Sequence, residues 1–186
     1  MSAPRRLLLV TGNPGKLAEA RRLSSLPLAA VDIDLAEIQS LDLERVLIHK
    51  AAAAHAAVGE PVVVEETGLE LAALAGFPGP LVRWMLEAVG AEGIARTALA
   101  LGEPRASAVC LLAWTDGERT VVGRGETAGV LVLPPRGANG FGWDPVFQPA
   151  GETRTYGELA AAEKDELGHR GRAWRDLLRQ LDASPR

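Results

Sequence analysis

Few folds accommodate the apolar run Leu7-Leu8-Leu9-Val10 where it stands, because it leads straight into Thr11-Gly12-Asn13-Pro14-Gly15-Lys16. An apolar run bounded by turn residues reads as a buried strand, here over residues 5–11. Asn13 has the side chain of a helix N-cap, and Pro14 has the fixed φ of a first helical residue, so a helix is expected from there to about Ser25. A strand, a glycine turn and a helix N-terminus aim backbone N–H groups and the positive end of the helix dipole at one point, which makes an anion site. Lys16 falls in the first helical turn, where a cation opposes the dipole unless an anion lies between them. A solvated lysine on an ordinary capped helix is the alternative. The spacing is not that of a Walker A loop, since only Asn13 and Pro14 separate Gly12 from Gly15 and Leu17 replaces the Mg²⁺-binding Ser or Thr.

The rest of the chain alternates in type. Short strands are expected over residues 28–31 and 33–38. From 42 to 58, Leu43, Val46, Leu47, Ala54 and Val58 keep helical spacing in an alanine-rich stretch, with Lys50 on the same apolar stripe. A valine-rich strand over 61–66 ends in Glu65 and Glu66, and residues 68–74 either continue it or form a hairpin arm. Helices follow over 81–89 and 92–101. Strands over 106–115 and 119–125 join through an Asp116-Gly117 turn, a hairpin signal. A strand over 129–133 precedes a Pro- and Gly-rich loop over 134–149, and helices over 159–167 and 171–181 close the chain around Gly168 as a cap. Trp84, Trp114 and Trp174 read as core residues. Early alternation with a late hairpin predicts an α/β fold around a mixed sheet.

With 186 residues, 47% apolar and 24% charged, residues 1–186 suit a single domain that needs neither a metal staple nor a disulfide. Cys110 is the sole cysteine. The run at Leu7 is too short for a signal peptide or a membrane span, so a cytoplasmic protein with no membrane partner is expected. A net charge of -4 and a pI near 5.5 argue against a nucleic-acid coat.

Of 20 basic residues only Lys16, Lys50 and Lys164 are lysines, leaving 17 arginines. A lysine in so arginine-biased a chain hints at a site that needs a compact ammonium. Glu65 and Glu66 end a strand on opposite faces, so only one can enter a given cleft. Carboxylates at such an edge suit Mg²⁺ held partly through substrate phosphates, with Glu37 as a possible partner. An ammonium at Lys50 on an apolar stripe requires an anion, either a ligand or one of those two glutamates. Arg83 and Lys164 say less alone. In Arg136-Gly-Ala-Asn-Gly-Phe-Gly-Trp-Asp-Pro145, glycines beside Phe141 let the backbone approach a flat ligand, and the ring offers a stacking face. His169 and Arg170 could donate to carbonyl oxygens on a base, or simply cap a helix. Gly123, Gly125 and Gly129 form a loose dinucleotide-like pattern, but a strand and two prolines follow them instead of a helix. His49 and His55 lack metal-ligand spacing.

In this order, Thr11-Gly-Asn-Pro-Gly-Lys16, Glu65-Glu-Thr-Gly-Leu69, Phe77-Pro-Gly-Pro80, Phe141-Gly-Trp-Asp-Pro145, Glu163-Lys164 and His169-Arg170 resemble the inosine triphosphate pyrophosphatase family, which hydrolyses non-canonical purine nucleoside triphosphates. The resemblance implies an elongated mixed α/β fold with flanking helices and two lobes around a central nucleotide-binding cleft, Mg²⁺ dependence and a homodimer. It makes Thr11, Gly12, Asn13, Pro14, Gly15 and Lys16 the triphosphate loop, and Glu37 and Glu66 the metal carboxylates. Glu66, Lys16 and Lys50 become the catalytic residues, with Lys50 and Lys164 on phosphate oxygens and Thr67 and Arg83 as nucleotide contacts. Phe141, Gly142, Trp143, Asp144, His169 and Arg170 form the base pocket. The expected reaction splits ITP, dITP or XTP into a monophosphate and pyrophosphate. Two departures stand out: the family usually has aspartate at Glu66 and serine at Gly168. Glu66 reaches roughly 1 to 1.5 Å further, and Gly168 is expected to loosen the loop that holds His169. A nucleotide-binding protein with weak catalysis is the alternative.

Overall fold

The computed structural model describes residues 6–183, so Arg5 of the first predicted strand lies outside the described residues. That strand is β1, Leu7–Val10, followed by α1, Pro14–Leu23. The Asn13 side chain caps α1 by accepting the Lys16 N–H at 3.0 Å. α1 ends before Ser25 because Ser24 donates its N–H back to the Ala20 carbonyl and turns the chain with its hydroxyl on Leu26. β2, Leu28–Val31, runs parallel to β1 at the sheet edge. The strand predicted over 33–38 does not form. The other side of β1 belongs to β3, and Ile33 and Leu35 instead pack on the core from an irregular segment that carries Glu37.

α2, Leu43–Val58, starts at Asp42, whose carboxylate accepts the Glu44 and Arg45 N–H groups, and stops at the left-handed Gly59. β3 is a single strand, Val62–Leu71, so residues 68–71 continue it. The two-residue β4, Pro78–Gly79, pairs with β3. The two helices predicted next form one run, α3, Val82–Ala100, broken at Gly90 with φ 69°. β5, Arg105–Thr115, and β6, Thr120–Leu131, make the expected hairpin, and β6 absorbs the strand predicted to begin at 129. The loop predicted over 134–149 contains a short turn of 3₁₀ helix at Asp144–Val146 and β7, Phe147–Pro149, which pairs with β6. α4, Ala161–Leu167, and α5, His169–Asp182, close the fold, α5 starting two residues early.

The sheet order is β2-β1-β3-β5-β6-β7, parallel among β1, β2 and β3 and antiparallel elsewhere, which is the expected mixed α/β arrangement. α2 covers one face through Leu47, Ala51, Val62 and Val64, and α5 covers the other through Val63, Cys110, Trp174 and Leu177. A third cluster, including Leu69, Ile94, Phe147 and Tyr156, lies under α3. Trp114 and Trp174 are core residues as expected, but Trp84 is 55% exposed because α3 buries Val82, Ile94 and Ala95 instead. Gly123 and Gly125 have a packing explanation: a Cβ on Gly123 would come within 2.6 Å of Leu177 Cβ, and one on Gly125 would strike the His169 carbonyl. They let α5 rest on the strand. No described helix is long and apolar enough to cross a membrane.

Candidate active site

Strand alternation places Glu65 and Glu66 on opposite faces of β3, and β1 runs alongside with Leu9 opposite Val63. The Thr11–Lys16 loop therefore leaves β1 at the level where β3 presents its carboxylates. On the α2 face, Lys50 Nζ donates to Glu66 Oε1 and to Glu37 Oε1, each at 2.7 Å. Burial would lower the Lys50 pKa, but the two carboxylates, Glu66 foremost, raise it instead. Burial likewise opposes ionisation of Glu37, and Lys50, with Lys16 and Arg83 further off, brings its carboxyl below the usual range. An ammonium seated between two carboxylates shows that a cation is welcome there, and two carboxylate oxygens suit Mg²⁺ that takes its remaining ligands from water and phosphate. No denser His, Cys, Asp and Glu group able to hold a metal occurs among the described residues.

On the α5 face, Glu65 is 2% exposed, accepts from Arg170 Nε and Nη2 and from Thr67 Oγ1 at 2.9 Å, and forms an ion pair with Lys16 Nζ at 3.3 Å. Burial pushes the Glu65 carboxyl up, yet Arg170 and Lys16 hold it at about 2. Arg170 Nη1 donates to Glu19, whose other oxygen accepts Lys164 Nζ at 2.8 Å. Lys164 also reaches Asp144 Oδ2 at 2.6 Å, and that oxygen accepts the Phe141 N–H at 2.7 Å. The result is an alternating chain of charges, Lys16, Glu65, Arg170, Glu19, Lys164, Asp144, running from the anion loop to the aromatic ring.

The Phe141 ring faces Lys164 Nζ at 5.0 Å and the Arg170 guanidinium at 5.4 Å. It also packs on the loop, since a Cβ on Gly15 would lie 2.6 Å from it. Beside it opens a cavity of about 240 Å³ lined by Gly15, Glu19, Phe141, Tyr156 and Lys164 among others. His169 lies beneath, 2% exposed, between Trp143 at 5.4 Å and Tyr156 at 5.8 Å. Burial and then the Arg170 and Lys164 charges push its pKa well below the ordinary value, so it is neutral. Neither ring nitrogen has a hydrogen-bond partner among the described residues.

Three groups of predicted residues therefore assemble: Lys50 with Glu37 and Glu66, Lys16 with Thr67 and Arg170, and Lys164 with Phe141 and Asp144. Thr11 Oγ1 accepts the Asn13 N–H at 3.1 Å and so folds the loop through Gly12, while Pro14 opens α1. Gly142 turns the chain at φ 63° so that Trp143 points into the core, 7% exposed and edge-on to Phe147. Arg83 pairs with exposed Glu87 at 2.9 Å and touches the site only through its charge on Glu37. Lys16 meets Glu65, and Glu66 meets Lys50. Gly168 does not loosen its segment. It is buried, its N–H bonds the Lys164 carbonyl at 2.8 Å, and an added Cβ would collide with that same oxygen. Sequence reasoning missed Glu19, although an acid three residues beyond Lys16 lies on the same helix face and was its one available signal.

Residues 7–180 match the Ham1 family. The chain belongs to that family. An inosine triphosphate pyrophosphatase from Batrachochytrium dendrobatidis is 39% identical over 171 residues, 90% of this chain and 89% of the relative. A dITP/XTP pyrophosphatase from Methanopyrus kandleri is 36% identical over 172 residues, 90% of this chain and 92% of the relative. The structure of a HAM1 protein from Coxiella burnetii superposes with a TM-score of 0.83 at 28% identity, covering 97% of this chain and all of that one.

Proposed function

We propose that this Ham1 protein is a hydrolase of non-canonical purine nucleoside triphosphates, cleaving ITP, dITP or XTP between the α and β phosphates to a monophosphate and pyrophosphate. The observation that carries the reading is the contact between Phe141 and Gly15. It joins an anion-binding helix N-terminus to an aromatic cavity, so one ligand with a charged tail and a flat base spans both. The names of the relatives favour the same substrates.

In this reading the backbone N–H groups of the loop and Lys16 hold the leaving pyrophosphate, and Lys50 steadies the phosphate beside Glu66. Glu66 orients a water against the α phosphorus and takes its proton as the new P–O bond forms. The bond to the bridging oxygen breaks, and its electron pair departs with pyrophosphate. Each of Lys16, Lys50, Lys164 and Arg170 is already matched by carboxylate, four cations against Glu19, Glu37, Glu65, Glu66 and Asp144. A polyphosphate entering so acidic a site needs further positive charge, and Glu37 with Glu66 would hold the Mg²⁺ that neutralises it. Arg170 and neutral His169 supply donors for a 6-oxo group. Facing the 6-amino group of adenine they would leave a buried donor unpaired, a roughly tenfold to hundredfold penalty.

A second reading, nucleotide binding with little turnover, draws support from the longer Glu66 being tied to Lys50 at 2.7 Å. Pyrophosphate release from ITP, XTP, dITP and ATP with Mg²⁺ separates the two, and binding of ITP without release selects the second. Under the first reading Glu66→Gln abolishes turnover while ITP still binds; turnover that survives the change removes Glu66 from the mechanism. We further propose a cytoplasmic homodimer. Exposed Leu41, Phe77 and Trp84 support the dimer, since large apolar side chains left on a surface suit an interface. Trp84→Glu should then shift the sedimentation coefficient to that of a monomer.

A further inference from the structure

The cavity beside Phe141 has one wall that the mechanism above does not use. Arg22 lies on α1 one turn beyond Glu19 and lines the cavity while remaining exposed, which puts it at the mouth. Its Nε and Nη2 donate to the two Asp165 oxygens at 2.6 and 3.0 Å, and its Nη1 donates to the Ala18 carbonyl at 3.3 Å. A bidentate grip by a carboxylate of α4 fixes the plane of the guanidinium. Those bonds leave one N–H over on each terminal nitrogen.

The cavity's polar groups are unevenly divided. Lys164 stands at its inner side with Arg170 behind, and Arg22 stands at the mouth. Glu19, the carboxylate among the lining residues, has one oxygen on Lys164 and the other on Arg170. Asn139 turns its amide nitrogen to the Leu159 carbonyl, leaving its own oxygen as a neutral acceptor. The pocket thus presents cationic donors at both ends and little to receive a proton from an amino group. A flat base with carbonyl oxygens on two separate edges satisfies both ends, whereas an exocyclic amino group at the mouth meets a donor.

We infer that Arg22 is a specificity residue for the purine base: it donates to a carbonyl at the 2-position, favouring xanthine nucleotides and rejecting guanine nucleotides, which carry a 2-amino group there. Asp165 is its positioning residue. The inference rests on the pyrophosphatase reading of the same site. It makes Arg22 the group that tells xanthine from hypoxanthine, which has no substituent at that position, and from guanine.

The test measures kcat/KM for XTP, ITP and GTP with Mg²⁺ in the unaltered protein, Arg22→Ala, Arg22→Lys and Asp165→Asn, with thermal melting to confirm folding. The unaltered protein should rank XTP above ITP and both far above GTP. In Arg22→Ala the XTP:ITP ratio should fall roughly tenfold, the worth of one charge-assisted hydrogen bond, and the GTP:ITP ratio should rise. Arg22→Lys keeps the charge without the fork and should fall between, as should Asp165→Asn, so the prediction survives a misfolded alanine variant. If the unaltered protein hydrolyses none of the three, the pyrophosphatase reading itself fails. If it hydrolyses ITP and XTP but the ratios hold constant across the folded variants, or GTP is turned over as well as ITP, Arg22 has no part in selection and this inference alone is overturned.

Discussion

Phe141 is held from two directions, by its N–H on Asp144 Oδ2 at 2.7 Å and by its ring on the face of Gly15. Gly15→Ala would place a methyl 2.6 Å from that ring, so the ring must swing away from Lys164 and Arg170. A base stacked on an aromatic side chain is worth about 1–3 kcal/mol. Gly15→Ala and Phe141→Ala should therefore each raise KM for ITP by roughly tenfold or more, with kcat falling less, in steady-state kinetics. An unchanged KM in Phe141→Ala would remove the ring from base recognition. The chemistry of these residues was legible in the chain: a lysine in an arginine-rich sequence, a ring between glycines, paired glutamates at a strand end. Their partners were not. Period-two alternation separates Glu65 from Glu66 but does not say which helix covers which face, so Lys16 could not be assigned to Glu65 before α1 and α5 were seen on the same side.

α5 shows why whole elements were read better than their boundaries. Its apolar stripe, Ala173, Trp174, Leu177 and Leu181, is plain in the sequence and fully packed in the fold. Its first turn, at His169 and Arg170, is polar by composition and becomes helical because Glu65 and Glu19 draw Arg170 inward. Residues 33–38 fail as a strand for a related reason: alternation supplied the pattern, but β1 had no vacant edge to offer. β7 went unseen because three residues beside two prolines carry no period, and only β6 gives them a ladder. The glycines of β6 were visible but misleading until α5 lay across them. Gly125→Ala should force α5 off the strand, since the new methyl would meet the His169 carbonyl and the Ala173 N–H. Overpacking against backbone costs about 1–3 kcal/mol, and for a chain of this length each kilocalorie is worth roughly 2–4 °C. The melting temperature should drop by roughly 5 °C, and near-native melting would mean that α5 is less closely seated than the structure shows.

At the scale of the whole molecule, the alternating charges connect α1, β3, α4 and α5, so protons act on the fold as well as on the site. Glu65 ordinarily titrates at 4.5 and is held at about 2 in the folded protein. Its pairing with Arg170 and Lys16 therefore contributes in full above the unfolded value and is lost as pH falls through about 2. A depression of that size is worth on the order of 3 kcal/mol. His169 acts in the same direction at higher pH. Buried neutral against an ordinary value of 6.5, it favours the folded state until the unfolded chain gains the proton, a gain that begins as pH drops below that value. Asp144 opposes both, because burial raises its pKa against the pull of Lys164 and the folded protein takes up its proton more readily. Glu19, where burial is outweighed by the Arg170 and Lys164 charges that lower its pKa, acts with Glu65. Three buried groups against one predict a melting temperature that is level near neutrality, falls below about pH 6.5 and falls further below about pH 4.5. Glu65→Gln should make the lower of the two declines shallower, Glu19 keeping its share of it, while leaving the upper one, at the cost of stability at neutral pH because Arg170 loses its main counter-charge. Melting curves collected from pH 3 to 8 for both proteins decide it. If the lower decline has the same depth in both, Glu65 is not the carboxylate that ties β3 to α5.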